Sequence, residues 1–258
     1  MPFYKATLSY KGTRYLGWQI QPEGQTVQGE LNRALIAVSK SEDIHTIGSG
    51  RTDAGVHALG QVVRLETPLV IEPKSLVLAL NANLPADIRV LECEESHKDF
   101  HPTFGAESKW YSYFFVQSRY PDPIIGELVA EQGFPVDEAR MRAAAKAFLG
   151  THDFANFFTE GTEVKSTVRT IFECSLHRSN PYGAPFHQAG EVWELRFHGN
   201  GFLKQMVRLM VGAIWNAGRG KIGPADIAKA LQAPQREKLS AVAPAHGLYL
   251  MRVVYPSN

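Results

Sequence analysis

Between Phe3 and Cys93 the hydrophobic pattern falls into six segments of strand or helix period, and their order leaves few folds open. Phe3 to Tyr10 alternates as a half-buried strand. Val27 to Val38 then puts Val27, Leu31, Ala34, Leu35 and Val38 on one face of a helix. β-prone residues follow at Ile44 to Ile47 and at Gln61 to Leu65. A second helix opens after Pro73 with Leu76, Val77 and Leu80, and Pro85 forbids its continuation. Ile88 to Cys93 closes the series as a strand. The order is strand, helix, strand, strand, helix, strand.

The pattern begins again at Trp110. Trp110 to Val116 reads as a strand, and Asp137 is placed to cap a helix with Met141, Ala144, Ala145 and Phe148 on its apolar face and Gly150 at its end. Strands are expected near Ser166–Leu176 and Glu191–Phe197, a long helix over Gly201–Asn216 stopped by Gly218, a short helix after Pro224, and a closing strand at Leu248–Val254. This order is the split βαβ plan. The chain is therefore read as α+β: two ferredoxin-like (RRM-like) halves, residues 1–102 and 103–258, with mainly antiparallel sheets flanked by helices and an active-site cleft between them. The first half bears the loop singled out below, and the second bears the insertions.

Composition narrows the class. The 258 residues are 44% hydrophobic and 21% charged, an ordinary globular mixture. No apolar run approaches the roughly 20 residues that span a bilayer, so no membrane association is expected. MPFYKATLSYKG alternates like a strand and does not resemble a secretion signal. Cys93 and Cys174 fall in separate strand-like segments, which points to buried free thiols and a cytoplasmic setting. No Cys/His grouping has zinc spacing, and Pro102 follows directly on the His97–His101 pair. A net charge of +1 does not announce a nucleic-acid partner. Any such site must come from local clusters, of which Lys11 with Arg14, Lys165 with Arg169, Lys204 with Arg208, Arg219 with Lys221, and Arg236 with Lys238 are candidates.

One loop stands apart chemically. Gly48-Ser-Gly-Arg-Thr-Asp-Ala-Gly-Val-His57 places three glycines, an arginine and a carboxylate between two strand ends, where another molecule can approach the backbone closely. It is not a P-loop, because Arg51-Thr52-Asp53 stands where Gly-Lys-Ser/Thr is required, and it lacks the third glycine of a dinucleotide fingerprint. No second carboxylate loop offers an aspartic-protease pair. What remains is one carboxylate, Asp53, beside one arginine, Arg51. Arg208 poses a related question. It interrupts the apolar run GFLKQMVRLMVGAIWNAG, and a guanidinium taken from water is costly unless it is paired. It either meets a carboxylate or snorkels to the surface. Tyr111 and Tyr113 share one strand face, as core residues or as a ring on which a base can stack.

Taken together, these segments resemble the tRNA pseudouridine synthase A family over nearly the whole chain. The resemblance is carried by Tyr10-Lys-Gly-Thr-Arg-Tyr-Leu-Gly-Trp-Gln19, Gly50-Arg-Thr-Asp-Ala-Gly-Val-His-Ala-Leu-Gly-Gln61, Lys109-Trp-Tyr-Ser-Tyr113, Val168-Arg-Thr170, Gly199-Asn-Gly-Phe-Leu-Lys-Gln-Met-Val-Arg208 and Gly247-Leu-Tyr-Leu250. It implies that Asp53 is the catalytic aspartate, Arg208 its partner, Arg51 the residue that displaces the target base, Tyr111 the ring stacked on that base, and Leu248 part of the uracil pocket. It further implies a homodimer acting on uridines of the tRNA anticodon stem-loop, on the 3′ side of the anticodon (positions 38–40), without metal or organic cofactor. Pro102-Thr103 stands where the family carries Ala-Arg, and Trp110 replaces a usual basic residue.

The chemistry has its own logic. A uridine inside a stem must be extruded before any side chain reaches it. Arg51 can hold phosphates and fill the vacated space, and a charged Asp53 can act as nucleophile or as an electrostatic and proton-transfer group while the C–N glycosidic bond is exchanged for C–C. Lys11, Arg14, Lys165 and Arg169 are the expected tRNA contacts. Two other classes fit some of these residues. One is a nucleic-acid glycosylase, which would release free base to water. The other is a non-catalytic RNA-binding protein, which would expose aromatic pairs on both sheets.

Overall fold

The computed structural model describes residues 1–120, 122–159, 161, 164–179, 191–233 and 238–256. It is an α+β structure whose chain divides into two units, Met1–Glu107 with Tyr249–Asn258, and Ser108–Leu248. The division thus falls at 107/108 where 102/103 was expected. The C-terminal strand also groups with the first unit, because Tyr249 and Leu250 register in parallel with His57 and Ala58. That pairing joins residues nearly two hundred positions apart, which no local periodicity signals.

In the first unit β1 (Phe3–Tyr10) is central. It pairs antiparallel with β4 (Ile88–Ser96) on one side and β3 (His57–Glu66) on the other. The short β2 (His45–Gly48) covers the far half of β3, giving the order β4-β1-β3-β2. β10 (Leu248–Val254) takes the remaining edge of β3 through Tyr249 and Leu250. Alternation along β1 is complete: Tyr4, Ala6, Leu8 and Tyr10 are buried and the residues between them are not. The buried face meets α1 (Val27–Ser39) and α2 (Pro73–Asn83) through Leu31, Leu35, Leu76 and Leu80, all fully buried. Thr26 caps α1 by accepting the Gly29 N–H. α2 ends at Asn83 with Leu84 as its C-cap, immediately before Pro85.

The second unit has the order β5-β9-β8-β7: β5 (Ser108–Val116), β9 (Val192–Gly199), β8 (Val168–Ser179) and β7 (Gly150–Asp153), with the two-residue β6 (Ala130–Glu131) alongside β5. α3 (Glu138–Lys146) is capped by Asp137, whose carboxylate accepts the Arg140 N–H. Gly150 does not end this helix. Residues 147–149 continue it as tight turns, and Gly150, at φ +104°, turns the chain into β7. α4 (Met206–Gly218) begins five residues later than the apolar run suggested, because Gln205 adopts a left-handed conformation (φ 59°, ψ 8°) and breaks it. α5 (Pro224–Gln232) opens on its proline as expected. Phe148, Phe154 and Phe157 form one aromatic cluster of this core, and Tyr113, Phe115 and Trp215 form another.

No helix is long and apolar enough to cross a membrane among the described residues. Both cysteines are free thiols; Cys174 is buried as expected, whereas Cys93 is only half-buried.

Candidate active site

The glycine-rich loop joins β2 to β3, and it is braced rather than pliant. Ser49 is fully buried; its N–H donates to the Val62 carbonyl and its hydroxyl to Gln61 Oε1 at 2.7 Å. Gln61 Nε2 in turn donates to the Gly50 carbonyl at 2.8 Å. Thr52, also buried, shares a 2.9 Å hydrogen bond with the Tyr10 hydroxyl, and its carbonyl accepts the Trp18 N–H at 3.0 Å. Burial pushes the Tyr10 phenol well above its ordinary range, and the hydrogen bond to Thr52 only partly offsets it. Asp53 then starts a turn closed by Val56 N–H on its carbonyl, with Gly55 at φ +79° in the position that wants glycine. Asp53 is half-buried, and Arg51, two residues earlier, is exposed.

The bracing segment is residues 10–18, of which the sequence singles out only Lys11 and Arg14, as expected tRNA contacts. Gly12 N–H donates to His57 Nδ1 at 2.9 Å, and the His57 ring stacks on Tyr249 at 4.6 Å. Gly55 N–H donates to the Tyr15 carbonyl. Gly17 sits at φ +95°, and a Cβ on it would lie 2.5 Å from the Thr52 carbonyl oxygen. The signal that could have revealed this contact is the pairing of glycines at 12 and 17 with aromatics at 10, 15 and 18. Small residues allow close backbone approach, and large ones fill the space behind.

In the second unit Tyr111 is buried on β5, edge-on to Phe202 at 5.0 Å. Tyr113, two residues along, is fully buried and donates to the Pro244 carbonyl at 2.9 Å. Arg208 lies in the first turn of α4 rather than mid-helix, and is half-buried. Its Nε donates to the Ala243 carbonyl at 2.7 Å, and its own carbonyl accepts the Ala243 N–H. Its charge acts on Tyr113, partly offsetting the burial that holds that phenol high. Arg208 and Tyr113 thus both grip residues 243–244. Leu248, buried, starts β10 four residues further on.

The basic candidates differ in their surroundings. Arg14 is held by Asp87 through Nε and Nη2, both at 2.8 Å, and Tyr15 donates to the same carboxylate. Lys11 and Lys165 are exposed. Arg169 donates to the Ser166 and Val168 carbonyls and is partly buried, which lowers its pKa. Lys109, not singled out from sequence as a site residue, faces this arginine. Burial, with a further contribution from Arg169, brings its ammonium down to about 8. Arg236 lies outside the described residues. Among the described residues no group of three or more His, Cys, Asp or Glu side chains is placed to hold a metal ion.

The loop, its bracing segment and the α4 motif lie in stretches that match a known class. The family described as tRNA pseudouridine synthase matches residues 6–105 and 144–256, and the chain belongs to that family. Within it, the tRNA pseudouridine synthase A of Bacillus subtilis (strain 168) is 41% identical over 252 residues, covering 97% of this chain and 98% of that one. The enzyme of the same name from Listeria innocua is 39% identical over 256 residues, covering 99% and 100%.

Proposed function

We propose that this protein isomerises uridine to pseudouridine in tRNA, acting in the anticodon stem-loop at positions 38–40. The observation that carries this reading is the Asp53 loop. A half-buried carboxylate stands on a turn, in a loop whose residues Ser49 and Thr52 are locked by buried hydrogen bonds. Pre-set geometry of this kind suits a group that must meet a reacting atom without reorganising.

The roles follow the chemistry. Arg51, exposed beside Asp53, takes the space left by the extruded base and binds backbone phosphates. Tyr111 supplies the ring on which the uracil stacks, and Leu248 an apolar wall of its pocket. Arg208 serves as the cationic partner of the Asp53 carboxylate. Asp53 promotes cleavage of the C–N glycosidic bond, and the retained uracil rejoins the sugar through carbon. Retention is what separates this isomerase from a glycosylase. Lys11, Arg14, Lys165 and Arg169 contact the tRNA backbone, Arg14 once it leaves Asp87. The strand order β4-β1-β3-β2 of the first unit supports its reading as a ferredoxin-like domain carrying the catalytic loop. The working form is a cytoplasmic homodimer that needs no cofactor.

The test is to map pseudouridine in tRNA incubated with and without the protein. The reading requires new pseudouridine confined to positions 38–40. Free uracil in the supernatant would assign a glycosylase instead, and unchanged tRNA a binding protein.

A further inference from the structure

Phe104 is 84% exposed, and among the described residues of the first unit no other Phe, Tyr or Trp is exposed. A scattered apolar side chain on a surface is ordinary, but this ring is held in place. The turn that presents it, residues 101–105, lies between β4 and β5. Gly105 N–H donates to the His101 carbonyl at 2.8 Å, and His101 Nδ1 accepts the N–H groups of Thr103 and Phe104 at 3.2 and 3.3 Å. The imidazole lies against the Phe104 ring, with centroids 4.3 Å apart. Behind them the Tyr255 hydroxyl donates to the Pro102 carbonyl at 2.7 Å, and the Tyr255 ring packs on Phe100. Thr103 fastens the turn to the candidate active site. Its hydroxyl donates to the Gly48 carbonyl at 3.0 Å, where the Asp53 loop leaves β2. Gly48 stands three residues before Arg51, so at most about 11 Å of chain separates them.

We propose that Phe104 is a stacking platform for one base of the tRNA, within about three nucleotides of the extruded uridine. The inference rests on the Asp53 loop being the reactive centre. Extruding a uridine strips the bases beside it of a stacking neighbour. An aromatic ring offers a replacement surface, and every base has a π-face to lay on it. His101 takes one face of Phe104, and the exposure of the ring leaves the other open. The braced turn has little conformational freedom to lose on contact. Successive stacked bases rise about 3.4 Å, so about three of them span the distance from Arg51 to the tether at Gly48. Exposed Thr103 and Gly105 flank the ring in the chain. The turn therefore offers one flat face, suited to a single base, and not the apolar core of a protein interface.

Binding of a tRNA transcript to full-length Phe104→Leu tests the proposal, because leucine keeps an apolar side chain and loses the π-face. Affinity should fall about 5- to 150-fold, the loss expected for one base–aromatic stack, and Phe104→Trp should bind within about threefold of the parent. The slope of log K against log salt should keep its parental value, since no charge is removed. Thermal unfolding should match the parent, because the ring is exposed. 2-Aminopurine, a base whose fluorescence is quenched by stacking, locates the contact. It is placed in turn at each of about three nucleotides on either side of the target uridine. One position should respond to the parent and lose that response with Phe104→Leu. Parental tRNA affinity in folded Phe104→Leu would overturn the proposal, as would 2-aminopurine signals that do not depend on Phe104. A changed oligomeric state with tRNA affinity intact would also overturn it, and would assign the ring to a contact between copies. Where the parent forms pseudouridine and Asp53→Asn does not, each of these results strikes this inference alone and leaves the proposed function standing.

Discussion

Thr52 and Asp53 are neighbours with opposite surroundings, and the contrast explains why the loop is built as it is. Thr52 is buried between the Tyr10 hydroxyl and the Trp18 N–H, whereas Asp53 keeps access to solvent. The first holds the second. Gly17→Ala attacks this arrangement directly, since it puts a Cβ 2.5 Å from the Thr52 carbonyl at a backbone φ of +95°. A stability loss of about 1–3 kcal/mol by denaturant titration is expected, with a fall in turnover larger than the fall in tRNA affinity. A variant with parental turnover would show that the brace does not position Asp53. Lys109 offers a second test. Burial and Arg169 hold its ammonium at about 8, below the range of a free lysine, so folding disfavours the cation. That penalty is complete below the folded value and is relieved as pH rises through it. Between it and the unfolded value of about 10.4 the unfolded chain binds more protons, and stability from this group rises with pH. The attraction for an anion moves oppositely. At constant salt, tRNA affinity should weaken from about pH 7 to 9 in the parent and less in Lys109→Arg, whose charge persists. Parallel pH profiles would remove Lys109 from the RNA surface.

At the scale of elements, α1 links the core to the loop. Its capping residue Thr26 is buried, and the first helical residues Val27 and Gln28 donate to the carbonyls of Gly17 and Trp18. Thr26→Ala should cost about 1 kcal/mol and lower Tm by about 2–4 °C, read by calorimetry. A larger loss of activity than of stability would indicate that the cap also serves the brace. What could be read from sequence follows the range of the forces involved. Strand β1, the starts of α1, α2 and α5, the Asp137 cap and the limits of β10 all rest on alternation, helical period, proline or a cap, each set by neighbours within a few residues. The missed features rest on pairings remote in sequence or on single backbone conformations. Apolar periodicity runs unbroken through Gln205, and only its left-handed backbone shows that Arg208 belongs to a first turn. The two residues of β6 and four of β7 are too short to show a period. For the candidate site, Arg51 and Asp53 stood out by composition, whereas the work of Tyr10, Gly17, Trp18 and Gln61 became visible only when the two segments met. The arrest of Arg14 by Asp87 was likewise illegible, because 73 residues separate them.

For the whole molecule, a net charge of +1 means that polyanion binding depends on a few local cations rather than on an overall field. Replacing Lys165 and Arg169 by glutamine should weaken tRNA binding and reduce the slope of log K against log salt by about 0.7–0.9 for each phosphate no longer neutralised. Arg14→Gln should change that slope less, since Asp87 already offsets its charge. Equal slopes for all variants and the parent would place the RNA elsewhere. Membership of the tRNA pseudouridine synthases gives the reaction, and the proposed roles rest on one side chain. The most direct measurement is therefore pseudouridine formation by Asp53→Asn on a tRNA substrate, with binding followed in parallel. The account predicts affinity within about threefold of the parent and product formation lower by at least about 100-fold. Near-parental turnover by that variant would contradict it.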